Sequence, residues 1–327
     1  MSAPDQHDGL PRVPRRDASG HKGTFGTVVV VGGCCHRQRD EDGASAPTMI
    51  GGACFSALAA LRAGCGLAKI VAPEPVMAAA LAIAPSATGF GVPVDAVTGD
   101  MVPHRAAAVI DAALAGARAI VVGPGLGVSP GAIAAVLRVV AQDQVPVVVD
   151  ADAINCLAAV PEIGLDLRAP MVMTPHIGEF ARLAQSLGVS AKTDSVADRR
   201  AAAEMMAQRL GAVVVLKSDV TVVTDGQATW EQDRPNPVLA TAGTGDVLTG
   251  IIAGMIAQHV RPHIALGSFT KASQHLGGLS VVDAARVGVA IHADAAGLWR
   301  AASGTSGGMV AMELLELVPR AVESRTG

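Results

Sequence analysis

Short β-branched runs alternate with alanine-rich stretches along most of this chain, and a Gly, Pro or Asp turn stands at most of the junctions. The runs "TVVVVGG" (27–33), "LAKIVAP" (67–73), "ARAIVVGPG" (117–125), "VPVVVDAD" (145–152), "APMVMTPH" (169–176) and "GAVVVLKS" (211–218) are apolar without alternation. Such runs suit strands covered on both faces, as in a parallel sheet. Between them the pattern predicts helices over 51–64, 130–142, 177–187, 196–210 and 246–258. Strand alternating with helix predicts a doubly wound α/β layer fold. "VTVVTDGQATWEQD" (220–233) instead reads as a hairpin around Asp225-Gly226, and the tail 283–320 reads as all-helical. No internal repeat and no Pro-, Gly- or Ser-rich linker divides the chain. The expectation is one domain over 22–322, preceded by a flexible arm over 1–21. The segment 34–49, "CCHRQRDEDGASAPTM", is the chief irregularity and reads as a mobile loop near a ligand or at the surface.

Composition narrows the function. Half the residues are apolar and 17% are charged, which is enough for a large core. No apolar stretch reaches the ~18 residues of a membrane span, and the polar N-terminus lacks a secretory core, so a cytoplasmic protein with no membrane partner is expected. A net charge of −4, five Phe, two Trp and no Tyr argue against nucleic acid as a partner. The cysteines (Cys34, Cys35, Cys54, Cys65, Cys156) show no C-x-x-C spacing and read as buried or incidental thiols rather than metal ligands.

Chemistry-bearing residues follow the strands. "GPGLG" (123–127), "DADAIN" (150–155), "TPHIGE" (174–179) and "KSDVT" (217–221) each succeed one run, and in a parallel sheet these ends share one ligand-binding rim. There is no P-loop, and no strand is followed by G-x-G-x-x-G. "AGTGD" (242–246) ahead of an apolar helix nevertheless supplies backbone N–H groups for an anion, with Asp246 as a candidate general base. Plainer readings stand beside these. Asp246, Asp150 and Asp152 would serve as helix caps, Glu179 as a first-turn carboxylate, and His176 as a loop histidine. Gly123, Gly125 and Gly127 would make a tight turn, and Lys217 would snorkel at the surface.

"HKGTFGTVVVVGG", "ALAALRAGCGLAKIVAPE", "VVGPGLG", "VVVDADAIN", "VMTPHIGEFARL" and "LATAGTGDVLTGIIAGMIAQ" together resemble the ADP-dependent NAD(P)H-hydrate dehydratases, from about Lys22 to Pro319. The resemblance implies a ribokinase-like, three-layer α/β fold with a mostly parallel central sheet flanked by helices. It implies a metabolite-repair lyase: ADP (or ATP) phosphorylates the ring hydroxyl of the S epimer of hydrated NADH or NADPH, and phosphate then leaves. Asp246 matches the family's catalytic carboxylate. Ala53, Gly127 and His176 match positions lining the hydrated-cofactor site. Lys217, Ser218, Asp219, Val220 and Thr221, with Gly245, match the adenine nucleotide site, and the N–H groups around Gly243, Thr244 and Gly245 would face the transferring phosphoryl. Glu179 would help hold Mg²⁺ through water. A homo-oligomer, in such proteins often a tetramer, is also implied. With about 22 residues ahead of the matching region there is no room for the fused epimerase domain, so a separate epimerase is expected.

The chain departs from the pattern at three places: Ser218 replaces a usual Gly, "RPNPVLATAG" (Pro237-Val238-Leu239 within it) replaces a Gly-Asn-Pro-Gly-Met-like run, and 34–49 is longer and more charged. The rival functions are a small-molecule kinase of the same fold, for a hydroxyethylthiazole- or pyridoxine-like alcohol, and a catalytically inactive nucleotide-binding sensor.

Overall fold

A computed structural model of the chain describes residues 9–35, 47–161, 163, 167–189, 192–261 and 278–327. The apolar runs form a sheet whose strands are β1 (Thr27–Val31), β4 (Leu67–Pro73), β5 (Thr88–Val92), β6 (Ala119–Val122), β7 (Val147–Val149), β8 (Met171–Met173), β9 (Val213–Leu216), β10 (Thr221–Thr224) and β11 (Thr229–Gln232). The nine-stranded order is β11-β10-β9-β8-β7-β6-β1-β4-β5. Every neighbour from β5 to β9 is parallel, and only β10 and β11 turn back as an antiparallel edge. Val28 to Val31, Ala119 to Val122 and Val147 to Val149 are fully buried, as unbroken apolar strands in the middle of a covered sheet must be. A short ribbon, β2 (Cys34–Cys35) against β3 (Thr48–Met49), stands beside the main sheet and brackets residues 36–46, which lie outside the described residues.

Helices cover both faces. On one side pack α1 (Gly51–Arg62), α2 (Met77–Ile83), α8 (Thr244–His259), α9 (Val281–Ser303) and α10 (Ala311–Ser324). On the other pack α3 (Pro103–Leu114), α4 (Pro130–Val140), α5 (Asp152–Ala158), α6 (Ile177–Ser186) and α7 (Val196–Leu210). This is the expected three-layer α/β fold. Helix α8 is apolar on nearly every side, with Val247, Ile251, Ile252, Met255 and Ile256 fully buried, so it lies inside the helical layer against α1 and α9. Burying each of these side chains contributes about 1.5–3 kcal/mol relative to exposure. The close approach to α1 depends on Gly250: a Cβ there would fall 2.2 Å from the Ser56 carbonyl oxygen, so Gly250→Val would force the two helices apart.

Several elements differ from the sequence expectation. Strand β5, "TGFGV", is absent from the predicted set because its glycines have low strand propensity; here Gly89 makes room for Met77, whose Sδ would be 2.5 Å from a Cβ. Helices α2 and α3 are also additions, and α5 is expected only through the capping reading of Asp150 and Asp152. The tail is not all-helical: α9 ends on Gly304 at φ +70°, and a non-helical stretch precedes α10. Within the span expected as an arm, residues 1–8 lie outside the described residues, but Val13 is buried and its N–H donates to the Arg325 carbonyl at 2.9 Å. Among the described residues no helix is long and apolar enough to cross a membrane.

Candidate active site

The parallel register brings the turns after β6, β7, β8 and β9 to one edge of the sheet. Gly123, Gly125 and Gly127 all have positive φ (+120°, +62° and +75°), so the tight-turn reading holds. At Gly123 only glycine is admissible, since a Cβ would lie 1.9 Å from the Asp150 carbonyl oxygen. The neighbouring Ala151 is the one non-glycine residue with positive φ among those described, at +49°. Such a backbone, paid for elsewhere in the fold, is commonest where a site dictates the geometry.

Asp150, directly before it, is not a helix cap. Its buried carboxylate accepts from Thr174 Oγ1 at 2.7 Å and Lys217 Nζ at 2.8 Å on one oxygen, and from Thr249 Oγ1 at 2.8 Å on the other. Lys217 is therefore no snorkelling surface lysine. Burial alone would lower its pKa, but Asp150 and Glu179 outweigh burial and hold it above the usual lysine value. Its N–H donates to the Pro175 carbonyl at 2.8 Å, which joins the "KSDVT" and "TPHIGE" turns. Asp152, in the first turn of α5, accepts from the Gly127 N–H at 2.8 Å and so fixes the glycine turn from outside.

His176 caps α6: its Nδ1 accepts from the Gly178 and Glu179 N–H groups, and the Glu179 carboxylate accepts in return from the His176 N–H at 2.8 Å. The loop-histidine and first-turn readings thus both hold, as a capping box. The His176 ring also stays 59% exposed, with Nε2 3.3 Å from Glu179 Oε1. Burial raises the Glu179 pKa, partly offset by the Lys217 charge.

Asp246 sits at the meeting of two helix N-termini. Helix α8 begins on Gly243 at φ +90°, with no side chain capping it, so Thr244, Gly245 and Asp246 occupy its first turn. Helix α1 also lacks a side-chain cap, and its first turn holds Gly51, Gly52 and Ala53. The Asp246 carboxylate lies against Gly52 rather than accepting from its own helix N–H groups, which the simple cap reading required. Ser56 Oγ donates to the Asp246 carbonyl at 2.9 Å and ties the two turns together. Burial, then the negative charge of Asp150, pushes the Asp246 pKa up to about 7, against the pull of Lys217. A carboxylate poised there is suited to accept a proton near neutral pH.

The expected site residues mostly converge. Lys217 Nζ comes 3.5 Å from where a Cβ on Gly245 would sit, so the β9 end and the α8 cradle are neighbours. Ala53 is in the first turn of α1, but the whole residue is buried. Ser218 Oγ donates to Asp219 Oδ1 at 2.6 Å, Asp219 pairs with Arg199 at 2.9 Å, and Val220 and Thr221 complete the turn into β10. The departure at Pro237-Val238-Leu239 forms a single 3-10 turn whose Leu239 carbonyl accepts from Thr244 Oγ1 at 2.8 Å. Three residues with no predicted role support the centre: Gly52, Thr249 and the buried His292, whose Nε2 is 2.9 Å from the Thr244 carbonyl oxygen. Gly51-Gly52 at a helix start was the available signal for the first.

No group of three or more His, Cys, Asp or Glu able to hold a metal ion is present among the described residues. That donor set fits Mg²⁺ only as this ion is usually bound beside nucleotides, through waters, phosphates and one or two carboxylates.

The family model described as NAD(P)H-hydrate dehydratase matches residues 44–320. The chain belongs to this family. Among its relatives, the bifunctional NAD(P)H-hydrate repair enzyme Nnr of Salinibacter ruber is 35% identical over 319 residues, covering 96% of this chain and 51% of that protein. The corresponding Escherichia coli enzyme is 34% identical over 310 residues, covering 94% and 50%. The dehydratase-family chain thus spans about half the length of the curated relatives it matches. In structure it is similar to an ADP/ATP-dependent NAD(P)H-hydrate dehydratase from Bacillus subtilis, co-crystallized with ATP/Mg²⁺: TM-score 0.68, 29% identity, 95% of this chain and 94% of that one.

Proposed function

We propose that this chain restores hydrated NADH or NADPH to the normal cofactor by a nucleotide-driven dehydration. The observation that carries the reading is the Asp246 carboxylate, held between the N-termini of α1 and α8 with its pKa pushed up to about 7. In the first step Asp246 takes the proton of the ring hydroxyl as its oxygen attacks the terminal phosphorus of ADP. The P–O bond to AMP breaks, and the N–H groups of Gly243, Thr244 and Gly245 stabilise the charge on the transferring phosphoryl. In the second step the C–O bond to phosphate breaks, a neighbouring ring carbon gives up a proton to water or to the departing phosphate, and the double bond re-forms. Hydroxide is a poor leaving group and phosphate a good one, which is why a kinase-like site serves a dehydration.

Gly127, His176 and Ala53 line the damaged ring in this reading, and Lys217 to Thr221 with Gly245 take the adenine nucleotide. Glu179 would hold Mg²⁺ through its water shell, and the ion would supply charge neutralisation at the nucleotide phosphates. The enzyme works as a cytoplasmic homo-oligomer, on the epimer that an epimerase activity supplies. The test is to incubate the purified protein with hydrated NADH and either ADP or ATP, and to follow the absorbance of regenerated NADH. Regeneration with nucleotide alone supports the reading; no regeneration, with ATP-dependent phosphorylation of a vitamin-like alcohol instead, would replace it with the kinase.

A further inference from the structure

Beside the glycine turn, by helices α5 and α6 on the face of the sheet opposite α8, lies a groove of about 400 Å³ lined by Val128, Asn155, Ala158, Ala159 and Arg182. A line of polar contacts ties it to the rim. Arg182 Nη1 donates to Asn155 Oδ1, Asn155 Nδ2 donates to Asp152 Oδ1 at 3.4 Å, and the Gly127 N–H donates to Asp152 Oδ2 at 2.8 Å. Among the described residues Arg182 makes no ion pair with a carboxylate, whereas Lys217 is engaged by Asp150 and Arg199 by Asp219. A guanidinium steadied by a neutral amide keeps its full charge and most of its donors for a ligand, in a fork that fits phosphate oxygens. Val128, 52% exposed, follows Gly127 directly and gives the groove an apolar wall.

We propose that this groove holds a phosphate of the dinucleotide portion of the substrate, with Arg182 as its counter-ion and Val128 against the adjoining sugar or base. The proposal rests on the functional reading above and adds a subsite to it. A dinucleotide hydrate brings at least two phosphate charges to a rim that already carries Asp150, Asp152, Glu179 and Asp246, so its phosphates need a cation away from the reacting centre. Arg182 is that cation. His176, beside the reacting ring, and Arg182 stand on the same helix, six residues apart in sequence. At 1.5 Å per residue that is roughly 9 Å along the axis, within the reach of a dinucleotide from its nicotinamide ring to its phosphates.

The experiment compares Arg182→Gln, Arg182→Lys and Val128→Glu with the unaltered protein, measuring kcat and KM for the NADH hydrate, the NADPH hydrate and ADP. Arg182→Gln is expected to raise the hydrate KM about tenfold while the ADP KM moves little, with Lys restoring part of the loss and Val128→Glu raising it through charge repulsion. Equal rises for both hydrates assign the diphosphate bridge to Arg182; a rise confined to the NADPH hydrate assigns the extra ribose phosphate. Unchanged hydrate KM in both Arg182→Gln and Val128→Glu overturns the subsite. So does a fall in kcat alone, which would make Arg182 a mere prop for Gly127. If the unaltered protein turns over no hydrate, the functional reading itself fails and the subsite falls with it.

Discussion

Gly52 stands so close to Asp246 that a Cβ on it would lie 2.9 Å from one carboxylate oxygen and 3.0 Å from the other. The glycine at the start of α1 therefore sets where the carboxylate of α8 points. Gly52→Ala is expected to push the carboxylate out of line with the hydroxyl it is proposed to deprotonate, and misplacement by about 1 Å costs roughly 10²-fold in rate. Steady-state kinetics should show that loss in kcat, while thermal unfolding stays near that of the unaltered protein. A Gly52→Ala enzyme with full kcat would show that the contact does not govern Asp246.

Asp246 itself should trade stability for activity. Its carboxylate must be ionised to act as the base, so the rate should rise with pH and reach half its plateau near the raised pKa of about 7. The folded protein holds this proton more tightly than the unfolded chain does. Ionisation therefore costs stability progressively as pH climbs from 3.8 to about 7, and the cost is constant above. Asp246→Asn removes it. The variant should lose about 10³-fold or more in turnover and still bind nucleotide, yet be more stable than the parent at pH 8 by on the order of 1–2 kcal/mol. Denaturant melts at pH 4 and pH 8 check the sign: the gain should be present at pH 8 and absent at pH 4.

Much of this arrangement was legible in the residues, for reasons particular elements make plain. Strands β1, β6 and β7 are unbroken β-branched runs, and only burial on both faces explains such composition. That burial implies parallel order, and parallel order in turn gathers the "GPGLG", "DADAIN", "TPHIGE" and "KSDVT" turns on one edge. Strand β5 escaped because Gly89 clears Met77, a tertiary demand with no local signature. Asp150 read as a cap because a single Asp before a helix usually is one; its partners Thr174, Lys217 and Thr249 come from distant parts of the chain. His292 lies near the middle of the long helix α9, and nothing local distinguishes it from a surface histidine.

The Lys217–Asp150 pair should behave as a buried ion pair. Its 2.8 Å contact joins a carboxylate side chain 2% exposed to a lysine side chain 22% exposed. Removing one partner strands the other charge, so Lys217→Met or Asp150→Asn should each destabilise the fold by about 3 kcal/mol. The double variant strands neither, and its loss should be smaller than the sum of the two. Urea denaturation of the four proteins measures the coupling; additive losses would mean that the two charges act independently.

His292 should make the cradle sensitive to acid. Burial, with some help from the Lys217 charge, lowers its pKa to about 4, so the ring is neutral at pH 7 and Nε2–H donates to the Thr244 carbonyl at 2.9 Å. The unfolded chain binds the proton near 6.5, so stability is complete above that value and is lost as pH falls from 6.5 towards 4. His259, lowered to about 4 by burial and by Arg16, adds a loss of the same sign. Ionisation of Asp246 acts oppositely across this range, so melts of Asp246→Asn give the histidine effect more cleanly. In that background His292→Gln, which keeps a donor but cannot titrate, should flatten the acid limb by up to about 3 kcal/mol. His292→Leu in the otherwise unaltered protein should also cost about 1–3 kcal/mol at pH 7 by leaving the Thr244 carbonyl short of its partner, and should slow turnover because the same peptide carries the Gly245 N–H of the proposed phosphoryl cradle. If His292→Leu matched the parent in both stability and kcat, the hydrogen bond would have no part in holding Thr244 and Gly245 in place.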